Sequence, residues 1–169
     1  SVAHGISAEA KVGLVKLISG ACGSVGMTGG QSIDLASEGQ DLSAEEIEHM
    51  YSLKTGALIH AAVVSACMLA NKLTAEEHAA LDGFGRDVGI AFQIKDDILD
   101  VEGDTDVIGK PAGSDEQMNK ATYPNLLGIE NSKRRCDELL SRGLGHLEIF
   151  GDRAQPLRWL AEYIVSRGN

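Results

Sequence analysis

Three carboxylates are grouped within one apolar stretch, Phe92-Gln93-Ile94-Lys95-Asp96-Asp97-Ile98-Leu99-Asp100. If this stretch is a helix, each residue turns the chain by about 100°, so Asp100 returns to within roughly 40° of Asp96, one turn further along. Gln93 falls between Asp96 and Asp97 on the same projection, and the four polar side chains share an arc of about 100°. The opposite side is largely apolar. The pattern predicts a helix that is buried on one side and rich in oxygen atoms on the other.

The oxygen-rich side of this helix has the chemistry of a divalent-metal site. Adjacent carboxylates repel each other unless water solvates them well or a cation lies between them. Mg²⁺ prefers oxygen ligands of this kind, so Asp96, Asp97 and Asp100 are predicted to bind Mg²⁺. A solvated acidic helix face is the alternative that these residues alone leave open.

Three lysines are candidates for binding an anion beside such a metal. Lys54 is followed by Thr55, at the point where the polar first half of a predicted helix meets an apolar second half. Lys110 and Lys120 lie in a loop-like segment, 104–123, which could close over an anion as a lid. Together with Mg²⁺ they would make diphosphate a good leaving group, because they neutralise the charge that develops on it. The alternative interpretation is that these lysines are solvated surface charges.

Composition favours a helical protein with a single domain over residues 1–169. The chain has only three prolines and 4% aromatic residues, and Ala, Leu, Ile and Glu are abundant. Capping boxes, in which Ser or Thr is followed three residues later by Glu, predict helix starts at Ser43 and Thr74. One helix is predicted over 44–70 and another over 124–140. The predicted fold class is all-α, a bundle of five or six helices with its site between them.

Two glycine-rich patches, 20–30 and 83–89, interrupt or line these helices. Glycine permits close approach of two backbones and also permits kinks. The phosphate-loop pattern G-x-x-x-x-G-K-[ST] is absent from the sequence. The patches therefore predict helix kinks or tight helix packing.

Charge and cysteine content narrow the classes of function. A formal net charge of −10 argues against a general nucleic-acid binder, which needs a basic surface. It leaves an anionic substrate open, because a bound metal inverts the local field. Three cysteines without a C-x-x-C pair predict reduced thiols and a cytoplasmic location. The longest uncharged apolar run, 57–70, is too short to span a bilayer, so no membrane span is predicted.

Several segments, in this order along the chain, resemble motifs of one family, the short-chain trans-prenyltransferases among the polyprenyl (isoprenoid) diphosphate synthases, with most likeness to the bacterial farnesyl diphosphate synthases. Each motif is moderately specific, whereas their order and spacing together are strongly so. The segments are Gly30-Gln31-Ser32-Ile33-Asp34-Leu35, Tyr51-Ser52-Leu53-Lys54-Thr55-Gly56-Ala57-Leu58, the stretch 92–100, and the parts Gly103-Asp104-Thr105, Gly109-Lys110 and Lys120-Ala121-Thr122-Tyr123-Pro124 of the lid-like loop.

The resemblance implies a helical bundle of the isoprenoid synthase type and a head-to-tail condensation. An allylic diphosphate (dimethylallyl or geranyl) ionises with the help of Mg²⁺, and isopentenyl diphosphate attacks the allylic cation. A proton is then lost, which gives geranyl or farnesyl diphosphate. The family also implies a homodimer. By the same resemblance, Asp96 would be the main metal ligand, and Asp97 and Asp100 would support it directly or through water.

The resemblance also implies roles for residues outside the carboxylate cluster. Lys54, Lys110 and Lys120 would hold the allylic diphosphate. Thr55 and Gln93 would line the reacting region, bind substrate there and stabilise developing positive charge. Catalysis is therefore predicted to involve Lys54, Thr55 and Gln93.

One departure from the family pattern affects what this chain can do alone. The family has a first aspartate-rich motif and an isopentenyl diphosphate site near its N-terminus, and these 169 residues contain neither. The sequence therefore resembles the C-terminal half of such a synthase, and it begins without Met, like an internal boundary or a processed end. A partial bundle that is inactive by itself is expected. The alternatives are a non-catalytic regulatory subunit of a prenyltransferase and a fragment of a terpene cyclase, although Gly30-Gln31 and Lys54-Thr55 favour condensation over cyclisation.

Overall fold

A computed structural model of the chain describes residues 5–70, 73–102 and 120–168, and these residues contain no strand. The all-α class predicted from composition is confirmed. The α-helices in chain order are α1 Ala8–Cys22, α2 Met27–Ala36, α3 Ala44–Tyr51, α4 Ala57–Leu69, α5 Ala75–Glu102, α6 Tyr123–Leu127, α7 Ile129–His146 and α8 Gln155–Ser166. A π-helical turn, Ser52–Gly56, joins α3 to α4, and a 3-10 segment, Glu148–Ala154, precedes α8.

Helix α5 is the centre of the bundle and carries the predicted carboxylates. It packs against α7 on one side and against α4 and the π-helical turn on another. Its apolar side chains enter two core clusters, one around Ile94 and Ile98 and one around Phe84 and Val88. Ile94 is fully buried. The polar side of α5 is therefore held in place by burial of the opposite side.

Local sequence signals account for the helix starts. At α3, the Ser43 backbone N–H donates to Glu46 Oε2 at 2.8 Å and the Glu46 N–H donates to Ser43 Oγ at 3.3 Å, which completes the predicted capping box. The same reciprocal pair, at 2.8 and 3.1 Å, links Thr74 and Glu77 at the start of α5. Both predicted starts are confirmed.

Two predicted helices are divided in the structure. The predicted helix 44–70 is interrupted by the π-helical turn. The predicted helix 124–140 breaks at Gly128, whose φ of +81° is a left-handed conformation that favours glycine. Helix α7 then continues past residue 140 to His146. Sequence periodicity could not place either break, because the apolar pattern continues through both.

The glycine-rich patches make a kink and close helix contacts, as predicted. The chain breaks between α1 and α2 at residues 23–26. A Cβ on Gly89 of α5 would lie 2.7 Å from Gly56 Cα in the π-helical turn, closer than real Cβ atoms approach. A Cβ on Gly30 of α2 would collide with the backbone of Lys54. These glycines bring α2 and α5 against the segment that carries Lys54 and Thr55.

Two helical segments, Ala8–Ala36 and Ala44–Leu69, are long and apolar enough to cross a bilayer by length and composition alone. The sequence prediction considered only the uncharged run 57–70, which is too short to span a bilayer. The second helical segment is longer because it begins at Ala44, well before that run. Core helices of soluble proteins meet the same criterion, so the absence of a membrane span stays a prediction.

Candidate functional site

The four polar residues of the opening stretch lie on the last turns of α5, but their surroundings differ. Asp97 and Asp100 are buried, with 4% and 3% of their surface exposed. The Asp96 side chain is 44% exposed, and Gln93 is half-buried. The predicted helix is confirmed. The acidic face is not evenly exposed to solvent, because its side chains differ in burial. Asp96 is the carboxylate that a cation from solvent reaches most easily.

Asp97 accepts a hydrogen bond on each of its two oxygens. Tyr51 Oη, at the end of α3, donates to Asp97 Oδ2, and Gln93 Nε2 donates to Oδ1 at 3.1 Å. Both donors are neutral, and they offset the cost of burying the carboxylate. Sequence reasoning missed Tyr51. The one signal in the sequence was its place in the segment 51–58, which also carries Lys54 and Thr55.

Thr55 and Gln93, predicted to act together, are in contact. Thr55 Oγ1 donates to Gln93 Oε1 at 2.7 Å, which joins the π-helical turn to α5. The amide oxygen of Gln93 therefore faces Thr55 and its nitrogen faces Asp97. The three side chains form one hydrogen-bonded chain. π-Helical turns within helices are frequent at functional sites.

Lys54 is held by an acidic residue of another motif. Its Nζ lies 2.7 Å from Asp34 Oδ2 in α2, and both side chains are partly buried. Gly30, one turn before Asp34, is the residue whose missing side chain lets α2 approach the Lys54 backbone. The segment 30–35 thus packs against the Lys54 backbone at Gly30, and its Asp34 orients the Lys54 ammonium group. The sequence identified Asp34 only as part of the segment 30–35, and the structure shows that it is the ion-pair partner of Lys54.

Asp96 contacts a cation from the other end of the described chain. Arg167 Nη2 bonds to Asp96 Oδ1, and the Arg167 guanidinium carbon lies 4.3 Å from the centre of the Phe92 ring, a cation–π distance. Sequence reasoning missed Arg167, and no local signal could have found it, since 71 residues separate the pair.

Lys120 lines a cavity of about 390 Å³ together with residues 39–42, 47, 121–122 and 125–126. Its backbone carbonyl accepts a hydrogen bond from Asn125 Nδ2 at 3.0 Å, which fixes the segment ahead of α6. Lys110 and most of the predicted lid lie outside the described residues.

A second network lies next to Tyr51 and fixes its neighbour Tyr123. Tyr123 Oη donates to Glu48, and Arg135 of α7 donates to the same carboxylate at 2.8 and 3.1 Å. Burial acts to raise the pKa of Glu48, but hydrogen bonds from Arg135 and Tyr123 outweigh it and hold that pKa below its ordinary value. Burial, followed by the bond to Glu48, raises the pKa of the Tyr123 phenol. The Tyr123 backbone N–H donates to Tyr51 Oη at 3.3 Å, so the network reaches Asp97.

The carboxylates suit Mg²⁺ by donor chemistry. Among residues 5–70, 73–102 and 120–168, no group of three or more His, Cys, Asp or Glu side chains is arranged to hold a metal by itself. Magnesium at phosphate-binding sites is usually held by one or two carboxylates together with phosphate oxygens and water, rather than by a cage made of protein. The exposed carboxylate of Asp96 beside the fixed carboxylate of Asp97 fits that kind of site.

Known proteins of one family are similar to this chain in sequence. A family model described as polyprenyl synthetase matches residues 3–148. The chain is 36% identical to the farnesyl diphosphate synthase of Escherichia coli strain K12 over 165 residues and 43% identical to that of Micrococcus luteus over 162 residues. Each alignment covers 96% of this chain and 55% of the relative. The chain therefore spans about half the length of the curated relatives it matches.

Solved structures agree with the sequence matches. A geranylgeranyl pyrophosphate synthetase from Pyrococcus horikoshii superposes with a TM-score of 0.82 at 28% identity, covering 96% of this chain and 61% of the other. A geranyltransferase from Helicobacter pylori, complexed with magnesium and isoprenyl diphosphate, superposes with a TM-score of 0.79 at 28% identity, covering 96% and 53%. The bundle predicted from the sequence is the fold of these proteins.

Proposed function

Because the chain belongs to the polyprenyl synthetase family, we propose that it serves the condensation of isopentenyl diphosphate with an allylic diphosphate, dimethylallyl or geranyl, to give geranyl or farnesyl diphosphate. The observation that carries this proposal is the hydrogen-bonded chain from Thr55 through Gln93 to Asp97. It joins the residues proposed to face the allylic carbon to the carboxylates proposed to face the diphosphate.

The first step breaks the bond between the allylic carbon and the diphosphate oxygen, and the bonding electrons leave with diphosphate. Lys54 is proposed to bind the leaving group. The ion pair with Asp34 orients the Lys54 ammonium group. Lys110 and Lys120 are proposed to bind the same diphosphate. Preorganised cations of this kind stabilise the charge that develops in the transition state more than the charge in the ground state.

The allylic carbon becomes positive as diphosphate leaves. Thr55 gives its hydroxyl hydrogen to Gln93, so the lone pairs of Thr55 Oγ1 are available to face positive charge. The double bond of isopentenyl diphosphate then forms the new carbon–carbon bond, and loss of a proton completes the product. Thr55 and Gln93 are proposed to stabilise the cation until that bond forms.

Asp96, Asp97 and Asp100 are proposed to hold Mg²⁺, with Asp96 as the main ligand because it is the exposed member of the cluster. When bound, Mg²⁺ supplies positive charge against the diphosphate. The geranyltransferase from Helicobacter pylori was solved with magnesium and isoprenyl diphosphate, which supports Mg²⁺ as the metal. Arg167 contacts Asp96 Oδ1, so a metal bound at that oxygen would displace the guanidinium group.

A non-catalytic regulatory subunit of a prenyltransferase is the second candidate. The contact between Thr55 and Gln93 and the contact between Lys54 and Asp34 weigh against it, since a regulatory subunit has little use for either. We also propose a homodimer, on the grounds of family membership, and a cytoplasmic location, on the grounds of three cysteines without a C-x-x-C pair.

Substitution of Asp96 tests the proposed function. In the intact protein, Asp96→Ala should lower turnover by roughly 100-fold or more, since a metal contributes several kcal/mol to the transition state. Turnover is measured as incorporation of labelled isopentenyl diphosphate into a prenyl product, with dimethylallyl diphosphate and Mg²⁺.

The matched control is Asp137→Ala, which removes an exposed aspartate from α7 and should leave turnover unchanged. A near-normal rate for Asp96→Ala would remove Asp96 from the ligand set. Absence of any turnover in the wild-type intact protein would favour the regulatory subunit.

A further inference from the structure

Tyr51 is a buried tyrosine whose hydroxyl group lies between a carboxylate and a backbone N–H. It is 3% exposed, donates to Asp97, and accepts from the Tyr123 N–H. We propose that Tyr51 is a positioning residue that orients Asp97 for the metal–diphosphate site and couples Asp97 to the segment 120–123. This inference rests on the proposed function and extends it to a residue outside the carboxylate cluster.

The direction of each hydrogen bond follows from the chemistry of the groups. A backbone N–H can only donate, so Tyr51 Oη must accept from Tyr123. The single hydroxyl hydrogen of Tyr51 is then left for Asp97, whose ionised carboxylate can only accept. Tyr51 Oη therefore donates its hydrogen to Asp97 and accepts from the Tyr123 N–H, and loss of the hydroxyl group would remove both hydrogen bonds.

Tyr51 and Gln93 donate to different oxygens of Asp97 and thereby fix the plane of its carboxylate. Tyr51 donates to Oδ2 and Gln93 donates to Oδ1. Carboxylates that ligate metals are commonly held by such outer hydrogen bonds, and losing one costs about 10- to 100-fold in metal affinity or activity.

The partner of Tyr51 is itself fixed. Tyr123 donates its phenol hydrogen to Glu48, Glu48 is bound twice by Arg135, and the rings of Tyr51 and Tyr123 lie 6.3 Å apart. Helices α3, α6 and α7 therefore meet at Glu48, one turn before Tyr51. Lys120, proposed to bind diphosphate, lies three residues before Tyr123, so one hydroxyl group links the metal side of the site to a lysine-bearing segment.

The variant that tests this proposal is Tyr51→Phe, which keeps the ring and removes only the hydroxyl group. Affinity for Mg²⁺ in the presence of inorganic diphosphate is measured by calorimetry on the full chain. We expect the Mg²⁺ dissociation constant to rise about 10- to 100-fold. In the intact protein, the Mg²⁺ concentration for half-maximal turnover should rise by a similar factor, with partial recovery of turnover at saturating Mg²⁺.

The control is Tyr163→Phe, which removes a hydroxyl group from a tyrosine exposed on α8 and should change neither quantity. An unchanged Mg²⁺ dissociation constant in folded Tyr51→Phe overturns the positioning role while leaving the proposed function intact. If the wild-type chain binds no Mg²⁺ with diphosphate, the proposed function fails, and the role of Tyr51 fails with it.

A second measurement keeps the proposal testable if Tyr51→Phe does not fold, as judged by circular dichroism. The chain has three tyrosines, so labelling their ring Cζ atoms with ¹³C gives three NMR signals from the wild-type protein. Addition of Mg²⁺ and diphosphate should shift the signal of Tyr51 and leave that of Tyr163 unchanged. No shift at Tyr51 under conditions where calorimetry shows metal binding overturns the proposal.

Discussion

Asp96 and Asp97 are adjacent in the chain but are held in opposite ways. Asp97 is buried, and two neutral donors fix both of its oxygens. Asp96 is partly exposed, and its partner is the charged Arg167. Under the proposed function, Mg²⁺ at Asp96 would replace one cation by another, while the hydrogen bonds from Tyr51 and Gln93 would hold Asp97 in its present orientation.

At this scale, helical periodicity placed Gln93 and the aspartates together on α5 and placed Thr55 beside Lys54. It could not place Tyr51 or Arg167, because their contacts depend on how separate helices pack and on where α8 ends. It also could not distinguish the buried Asp97 from the exposed Asp96, since a projection of one helix contains no neighbours. The chemistry of the polar side chains could be predicted from the sequence, whereas the burial of each of them could not.

The Glu48 carboxylate gives a pH-dependent prediction. Its pKa in the folded protein lies below the ordinary value of 4.5, so its contribution to stability is present above that value and is lost as the pH falls through the folded-state pKa. Glu48→Gln should lower the free energy of unfolding by about 1–2 kcal/mol at pH 7. The difference in the free energy of unfolding between wild type and Glu48→Gln should stay constant above about pH 5 and become smaller below about pH 4. Urea unfolding at a series of pH values measures this difference.

The control for this prediction acts on the same arginine. Glu138 also contacts Arg135, at 3.2 Å, but its side chain is exposed. Glu138→Gln should cost less than about 0.5 kcal/mol, because exposed ion pairs contribute little. If the difference in the free energy of unfolding between Glu48→Gln and wild type did not become smaller in acid, the titration assigned to Glu48 would be contradicted.

At the scale of elements, the π-helical turn is what brings the two halves of the site together. It presents Lys54 to Asp34 of α2 and Thr55 to Gln93 of α5. The capping boxes predicted the starts of α3 and α5 because a cap is a local signal. The π-helical turn could not be predicted, because it depends on α2 and α5 packing against one short segment from two sides.

Close packing of Gly56 against Gly89 gives a prediction about stability. Gly89→Ala should lower the free energy of unfolding by about 1–3 kcal/mol, the usual cost of overpacking, since its Cβ would lie 2.7 Å from Gly56 Cα. Stability is measured by chemical denaturation.

The matched control is Gly145→Ala in α7, where an added Cβ meets no atom within 4 Å. That change should be neutral or should stabilise by up to about 1 kcal/mol, because alanine favours helix. A Gly89→Ala variant as stable as wild type would show that α5 and the π-helical turn can separate without cost.

At the scale of the whole molecule, α1 leaves an apolar face uncovered. Among the described residues, Val12, Val15 and Ile18 of α1 are 69%, 66% and 50% exposed, and a cavity of about 750 Å³ lies between α1, α4, α5 and the π-helical turn. Exposed apolar surfaces of this extent are typical of interfaces. The sequence predicted the all-α class because composition and periodicity are averages over the chain. It could not predict which apolar residues lack neighbours within the chain.

The half-length match to relatives gives a prediction at the same scale. The purified 169-residue chain should show no prenyl transfer from dimethylallyl and isopentenyl diphosphates, because these residues contain no first aspartate-rich motif. The assay is product extraction with labelled isopentenyl diphosphate, and the positive control is a full-length relative such as the Escherichia coli synthase. Robust turnover by the chain alone would contradict the prediction and would show that one set of carboxylates is sufficient.

The π-helical turn also limits how the chain can vary in length. Such a turn holds one residue more than the α-helical turn it replaces. Deleting one residue from Ser52–Gly56 would convert this turn to α-helix and leave the angular phase of α4 relative to α3 nearly unchanged. It would, however, remove one of the backbone positions from which Lys54 and Thr55 reach Asp34 and Gln93. The extra residue therefore gives the site one more side-chain position without turning the helices around it, whereas an extra residue in a surface loop would alter only the length of the loop.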